Sequence, residues 1–158
     1  AQYIATVQLS LARASGSKAL KTYVEHKIDL SNIRTALRNA DDLIEGGSIP
    51  PAALTKGVPG IVSAINRSTL PYELAENVRK AVGDSNAVEH ALSKVTADDI
   101  AHMWNVPLSI EPVFAFAALA QSQMRLLRVL LIGKRANMSP QEIKLMLPPF
   151  LSASHYVL

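Results

Sequence analysis

The sequence contains no cysteine and few aromatic residues, and both shortages restrict what the protein can be. Without cysteine among its 158 residues, the chain has no disulfide, no thiolate metal ligand and no cysteine nucleophile. Its one Trp, four Tyr and three Phe do not alternate with basic clusters. Because the net charge is only +3 and is spread along the chain, the sequence gives no indication of nucleic-acid binding.

The chain begins without a basic segment followed by an apolar one, so we expect no signal peptide. One long apolar run, from Val113 to Ile132, has the length of a membrane span. It carries Arg125 and Arg128 near its middle, and each would cost about 2.5–3.5 kcal/mol at the centre of a bilayer. We therefore predict a buried helix of a soluble protein here, and no transmembrane segment.

Apolar residues repeat at helical spacing along most of the chain, which predicts an all-α, multi-helical fold. With 49% hydrophobic residues, a chain of this length can bury a real core, and we treat 1–158 as a single helical region. The first helix is expected from about Gln2 to Ala14, and a second from about Lys18. The apolar face predicted for the first helix consists of Ile4, Val7 and Leu11.

Two predictions concern the second half of the chain. Val88, Leu92 and Val95 repeat at helical spacing, and 96–99 then resembles a capping box that opens a separate turn. A second capping box at 139–142, with proline in its second position, predicts the start of a last helix. Its end is expected at Pro148 and Pro149.

The longest helix is predicted from about Glu111 to Lys134, and most of its circumference is apolar. One row of residues, which we call the seam, is expected to face inward and contains Phe116, Ala120, Met124, Leu127 and Leu131. The polar stripe of the same helix contains Gln121, Arg125, Arg128 and Arg135. Leu127 is accordingly predicted to be buried, and Arg125 to lie on the polar side.

Residues that could carry catalysis are few, and we predict no catalytic residue, no cofactor and no metal site. No two of the four histidines have the i, i+4 spacing of a helical zinc pair; they are His26, His90, His102 and His155. The acidic pairs 41–42 and 98–99 each lie beside an expected helix end, where carboxylates cap helices or are solvated. The glycines at 57 and 60 lack the Gly-Lys-Ser/Thr ending of a phosphate loop.

Two helices share a weak internal similarity. Residues 29–37 align with residues 123–131: each has a polar residue, an aliphatic-Arg pair four and five positions later, and Leu three positions after that. Amphipathic helices often place Leu and Arg in this way, so spacing alone does not establish a repeat.

Residues 23–34 resemble a helix of the C-type central-stalk subunits of V/A-type ATPases, in which an acidic residue is followed by Asn, an aliphatic residue and Arg. Asp29, Asn32 and Arg34 occupy those positions here. The closing part, from Glu111-Pro112 to the capping box at 139–142, is similar to the same family more specifically. Two residues depart from the family's pattern: Gln123 stands where Glu is usual, and Leu126 where Asn is usual. A buried polar contact at those positions is therefore expected to be missing.

The resemblance covers about 12–148 and corresponds to the C-terminal portion of family members, which are longer, so we expect an N-terminal part to be missing from this chain. It implies a funnel-shaped, pseudo-threefold helical subunit in the cytoplasm, peripheral to the membrane. Its partners would be the central-stalk shaft and the membrane rotor ring of a rotary ATPase. It would couple them for proton or sodium transport without doing chemistry.

The resemblance also selects polar positions that are candidates for contacts with partner subunits or for structural roles: Asp29, Asn32, Arg34, Arg38, Gln123, Arg125 and Arg128. An intramolecular role is the alternative for the arginines, for example between Arg38 and Asp41 or Asp42 at helical spacing. Two other classes of protein stay open, a free-standing helical protein-binding scaffold and a small helical enzyme.

Overall fold

The computed structural model describes residues 2–147, and within them the chain forms eight helices and no strand, which confirms the all-α prediction. The predictions for Pro148, Pro149 and His155 lie outside the described residues. The helices are α1 Gln2–Ala14, α2 Lys18–Leu37, α3 Pro51–Leu54, α4 Gly57–Asn66, α5 Tyr72–Ala81, α6 Ser85–Trp104, α7 Glu111–Arg135 and α8 Pro140–Met146.

Two apolar clusters form the core, and α2 and α6 run through both. The first cluster joins the later part of α2 to α3, α4, α5 and the start of α6, around the fully buried Ile33 and Ile65. The second joins the start of α2 and the end of α6 to α1 and to the beginning of α7, around Leu20 and Met103. Because both long helices contribute to each cluster, they fix the other elements relative to one another.

The bounds predicted for α1 are confirmed, but the predicted face is wrong. Ala5, Leu9 and Ala12 pack into the second cluster, whereas the larger Ile4 and Leu11 are exposed. Both rows repeat at helical spacing, so periodicity does not distinguish them.

The capping box predicted at 96–99 is also wrong, because α6 continues through these residues without a break from Ser85 to Trp104. The true cap is Asp84, whose carboxylate accepts hydrogen bonds from the backbone N–H groups of Asn86 and Ala87. Asp98 and Asp99 therefore lie inside a helix rather than beside its end.

Helix α7 has nearly the predicted bounds, but the prediction that it is buried is wrong. The four large seam residues are 53% to 69% exposed, Leu127 among them, and the large Phe114 and Ile132 are exposed as well. The helix packs on the rest of the chain through a row with several small residues, including Ala115, Ala118 and Gly133. Since almost all of its circumference is apolar, the sequence pattern does not reveal which side packs.

Helix α7 is also the one helix among the described residues that is long and apolar enough to cross a membrane, judged by length and composition only. Of its most apolar 18-residue segment, 6% is buried.

The last helix confirms the predicted capping box. The Ser139 side chain accepts a hydrogen bond from the N–H of Glu142 at 3.3 Å, and the Glu142 carboxylate accepts one from the N–H of Ser139 at 2.7 Å. Ile143 of α8 packs directly against Gly133 of α7. This contact anchors α8 to the end of α7.

Candidate functional site

Asp29 is fully buried on α2, where it holds a segment that returns along this helix. We call residues 44–49 the strap. The Asp29 carboxylate accepts hydrogen bonds from the Ser48 N–H at 2.9 Å, the Ser48 hydroxyl at 2.6 Å and the Ile49 N–H at 3.0 Å. Burial raises the pKa of Asp29, and these three hydrogen bonds and the nearby His26 oppose the rise only in part.

Asn32 holds the other end of the strap. Its side-chain N–H donates to the Ile44 carbonyl at 2.7 Å, and its side-chain oxygen accepts from the Ile44 N–H at 2.8 Å. Gln2 of α1 also bonds the strap, since its side-chain oxygen accepts from the Glu45 N–H at 2.9 Å. The strap is thus tied to two helices, and two of the predicted polar positions have structural roles within the chain.

The strap approaches α2 so closely that Gly47 is needed. A β-carbon at this position would overlap the Asp29 carboxylate, whose geometry the Ser48 and Ile49 bonds already fix. Gly46 beside it has φ of +111°, a backbone conformation that side chains disfavour. The two glycines therefore let the strap reach the buried carboxylate.

Arg34 and Arg38 both pair with Glu89 of α6. The Arg34 Nε lies 2.8 Å from one Glu89 carboxylate oxygen, and an Arg38 terminal nitrogen lies 3.4 Å from the other. The intramolecular alternative therefore holds for these two arginines, but the partner given as an example, Asp41 or Asp42, is wrong. The chain turns away from the helix after Leu37, with Asn39 at φ of +54°, so the helical i+3 and i+4 geometry is not available.

A buried histidine site was not predicted from the sequence. His26 Nδ1 lies 2.9 Å from the Asp99 carboxylate, and Nε2 lies 3.2 Å from both the carbonyl oxygen and the hydroxyl of Thr69. Burial alone lowers the pKa of His26, but Asp99, Thr69 and the charge of Asp29 together raise it above its ordinary value. His26 and Asp99 are far apart in sequence, so no local signal points to the pair.

The structure brings Arg34 and Arg125 to the same cleft, which has a volume of about 220 Å³ and lies between α2, α6 and α7. Lys27 lines it too, and burial together with the charge of Arg125 lowers the pKa of Lys27. Burial and Asp99 raise the pKa of Tyr23 at the same cleft, while Arg125 acts in the opposite direction. The cleft therefore collects positive charge.

Gln123 and Arg128 are exposed on α7. The similarity between residues 29–37 and 123–131 thus does not extend to their surroundings. Asp29 is buried and its carboxylate accepts three hydrogen bonds, whereas Gln123, at the aligned position, is exposed. Arg34 has a carboxylate partner, and Arg128 has none within residues 2–147.

Of the residues described, no group of three His, Cys, Asp or Glu side chains could hold a metal ion. Asp29, Asn32, His26 and Glu89 instead join elements that are distant in sequence. Arg125 and Arg128 present charge at the surface of α7. The arrangement is suited to holding helices in place and to binding a partner.

Comparison with known proteins identifies one family. A sequence model of the ATP synthase (C/AC39) subunit family matches residues 2–146, nearly the whole chain. No curated protein and no solved structure matches significantly. Since the family match covers nearly all the described residues, the chain belongs to the ATP synthase (C/AC39) subunit family and is a subunit related to those of V/A-type ATPases.

Proposed function

We propose that this chain is a non-catalytic subunit of the central stalk of a rotary ATPase. It couples the rotor shaft to the membrane rotor ring, so that ATP turnover and proton or sodium transport are linked. It is cytoplasmic and peripheral to the membrane. The observation that carries the proposal is the family match over residues 2–146.

A coupling subunit transmits torque, and the internal contacts of this chain support such a role. Buried side chains of α2 tie this helix to the strap and to α6: Asp29 and Asn32 hold the strap, and His26 bonds Asp99. Buried, satisfied polar networks favour one rigid arrangement over several alternatives. A subunit built in this way resists twisting between the surfaces at which its partners bind.

Within this proposal the seven candidate polar positions divide into two groups. Asp29, Asn32, Arg34 and Arg38 maintain the structure, because each has a partner inside the chain. Gln123, Arg125 and Arg128 contact other subunits, because they are exposed on α7. The funnel shape, the pseudo-threefold character and the longer N-terminal part remain predictions.

The proposal is tested by asking whether the protein assembles with the other subunits of a rotary ATPase. The chain in its natural full-length form carries an affinity tag and is purified from membranes under mild conditions, and the bound proteins are identified. We expect shaft and rotor-ring subunits in stable proportion. ATP hydrolysis should remain with the catalytic subunits when the tagged protein is stripped away. Hydrolysis by the purified protein alone, or its purification without any ATPase subunit, would contradict the proposal.

A free-standing helical scaffold is the alternative, and the exposed apolar surface of α7 is the observation that favours it. Such a surface is typical of a protein that binds other proteins. The same purification separates the two functions, because a scaffold would retain unrelated partners and no rotor subunits.

A further inference from the structure

The seam of α7 is a row of large apolar side chains that nothing in the described chain covers. Phe116, Met124, Leu127 and Leu131 are all more than half exposed, although they lie on a long helix with only one polar stripe. Exposed apolar residues that stand singly need no explanation, but a contiguous row marks a binding surface. The row extends about 22 Å, since 15 residues at about 1.5 Å each separate its ends.

The charge on α7 indicates what covers the seam. After Glu111 the helix contains no acidic residue, and its four charged side chains are Arg125, Arg128, Lys134 and Arg135. None of the four is in an ion pair within residues 2–147. At about 100° per residue, Arg128 and Arg135 lie along one flank of the seam. A partner that covers the seam therefore meets unpaired guanidinium groups.

The spacing of the seam indicates the shape of that partner. Its residues follow one another at intervals of four, four, three and four, which keeps them on one side of the helix. A second helix presents side chains at the same period and can interdigitate with the row along its whole length.

We propose that the seam binds a helix of a partner subunit, about four turns long, whose own apolar row is flanked by Asp or Glu. The carboxylates of this helix pair with Arg128 and Arg135, for which the planar guanidinium is suited because it can make two parallel hydrogen bonds. This inference rests on the proposed function for the identity of the complex, and it adds the chemistry of the partner.

In the test, photoreactive p-benzoylphenylalanine replaces Leu127 in the full-length protein. The native complex is irradiated, and the cross-linked peptide is identified by mass spectrometry. The control is the same group at Tyr72, which is also exposed but lies on α5. We expect the product from Leu127 to contain a helical segment with Asp or Glu beside its apolar row. Its yield should exceed that of the control at least about tenfold.

A charge reversal supplies the second measurement. Arg128→Glu should lower the cross-linking yield by about tenfold or more, a change equivalent to about 1.4 kcal/mol. Arg67→Glu should leave it unchanged, since Arg67 is exposed but lies after α4. Circular dichroism of both variants should match the parent, because neither side chain is in an ion pair within residues 2–147.

Four results would overturn the inference: a product with lipid, a product with this protein itself (another segment of the same molecule or a second copy), a product with a segment lacking acidic residues, and a yield no higher than that from Tyr72. The inference and the proposed function fail separately. An acidic helix from a protein outside the ATPase would support the former and contradict the latter. Purification with the rotor subunits, together with a product from Leu127 that contains no acidic helix, would support the proposed function and contradict the inference.

Discussion

His26 and Asp99 join α2 to α6 through a contact of 2.9 Å between the imidazole Nδ1 and a carboxylate oxygen. On the other side of the ring, Nε2 faces the carbonyl and the hydroxyl of Thr69. Carboxylate and carbonyl oxygens only accept hydrogen bonds, so the protonated ring satisfies both by donating from each nitrogen. The neutral ring can donate to Asp99 only if it accepts from the Thr69 hydroxyl instead.

Protonation of His26 should therefore stabilise the fold. The folded-state pKa of His26 is raised, so its contribution is complete below the unfolded pKa of about 6.5 and is lost as the pH rises through the folded value. Urea unfolding from about pH 5.5 to about pH 9 should show the difference in stability between the parent and His26→Gln shrinking as the pH increases. A difference that stays constant over this range would show that the charge of His26 contributes nothing.

Loss of the Asp29 carboxylate should destabilise the protein strongly. Asp29→Ala leaves the N–H groups of Ser48 and Ile49 without their acceptor, and each buried donor left unsatisfied costs about 1–3 kcal/mol. The matched control is Asp42→Ala, which alters an exposed carboxylate and should change the free energy of unfolding by less than about 0.5 kcal/mol. Denaturant unfolding measures both, and similar values for the two variants would mean that the strap is not held by Asp29.

Gly47→Ala should destabilise the fold because its β-carbon overlaps the Asp29 carboxylate. Overpacking of this kind typically costs about 1–3 kcal/mol. The cost should be smaller in a chain that already carries Asp29→Ala, because the overlapping oxygens are then absent. A double-mutant cycle of unfolding free energies detects this coupling. Additive effects of the two substitutions would show that the close approach at Gly47 has another cause.

Truncation of the seam should leave stability nearly unchanged, in contrast to truncation of the core. Leu127→Ala removes methyl groups that are already half exposed, so the free energy of unfolding should fall by less than about 1 kcal/mol. Ile33→Ala removes fully buried groups and should cost about 2–5 kcal/mol. Thermal or denaturant unfolding of the isolated chain compares them, and equal losses would mean that the seam is packed inside the chain.

The bounds of several helices could be predicted because their signals are local. Ser139 and Glu142 form a capping box that the sequence itself displays, and the start of α7 is marked by Pro112 at an early helical position. The first helix is predicted to end at about Ala14, and the structure places its end there. Such signals depend on neighbouring residues, so one sequence is sufficient to read them.

The side of a helix that packs could not be predicted, because it depends on tertiary partners. The apolar row of Ile4 and Leu11 in α1 and the seam in α7 both have helical spacing, yet both are exposed. In each helix a row with smaller residues packs instead, since small side chains permit close approach. The predicted inward position of Leu127 failed for this reason.

The candidate polar positions were found through resemblance, whereas their contacts depend on the fold. Asp29 and Asn32 match the family's pattern, but only the structure shows that both hold the strap. Glu89 was missed because it is 55 residues from Arg34 in sequence. The need for glycine at position 47 likewise depends on the tertiary structure, because it comes from the close approach to Asp29.

The most direct test of the proposed coupling measures ATP hydrolysis and ion transport together in vesicles that contain the enzyme. The enzyme is assembled with the full-length subunit, without it, or with the Arg128→Glu variant. We predict that hydrolysis continues in all three preparations, while ATP-driven ion transport is lost without the subunit and reduced with the variant. Ion transport at the full rate in vesicles that lack the subunit would contradict a role in coupling.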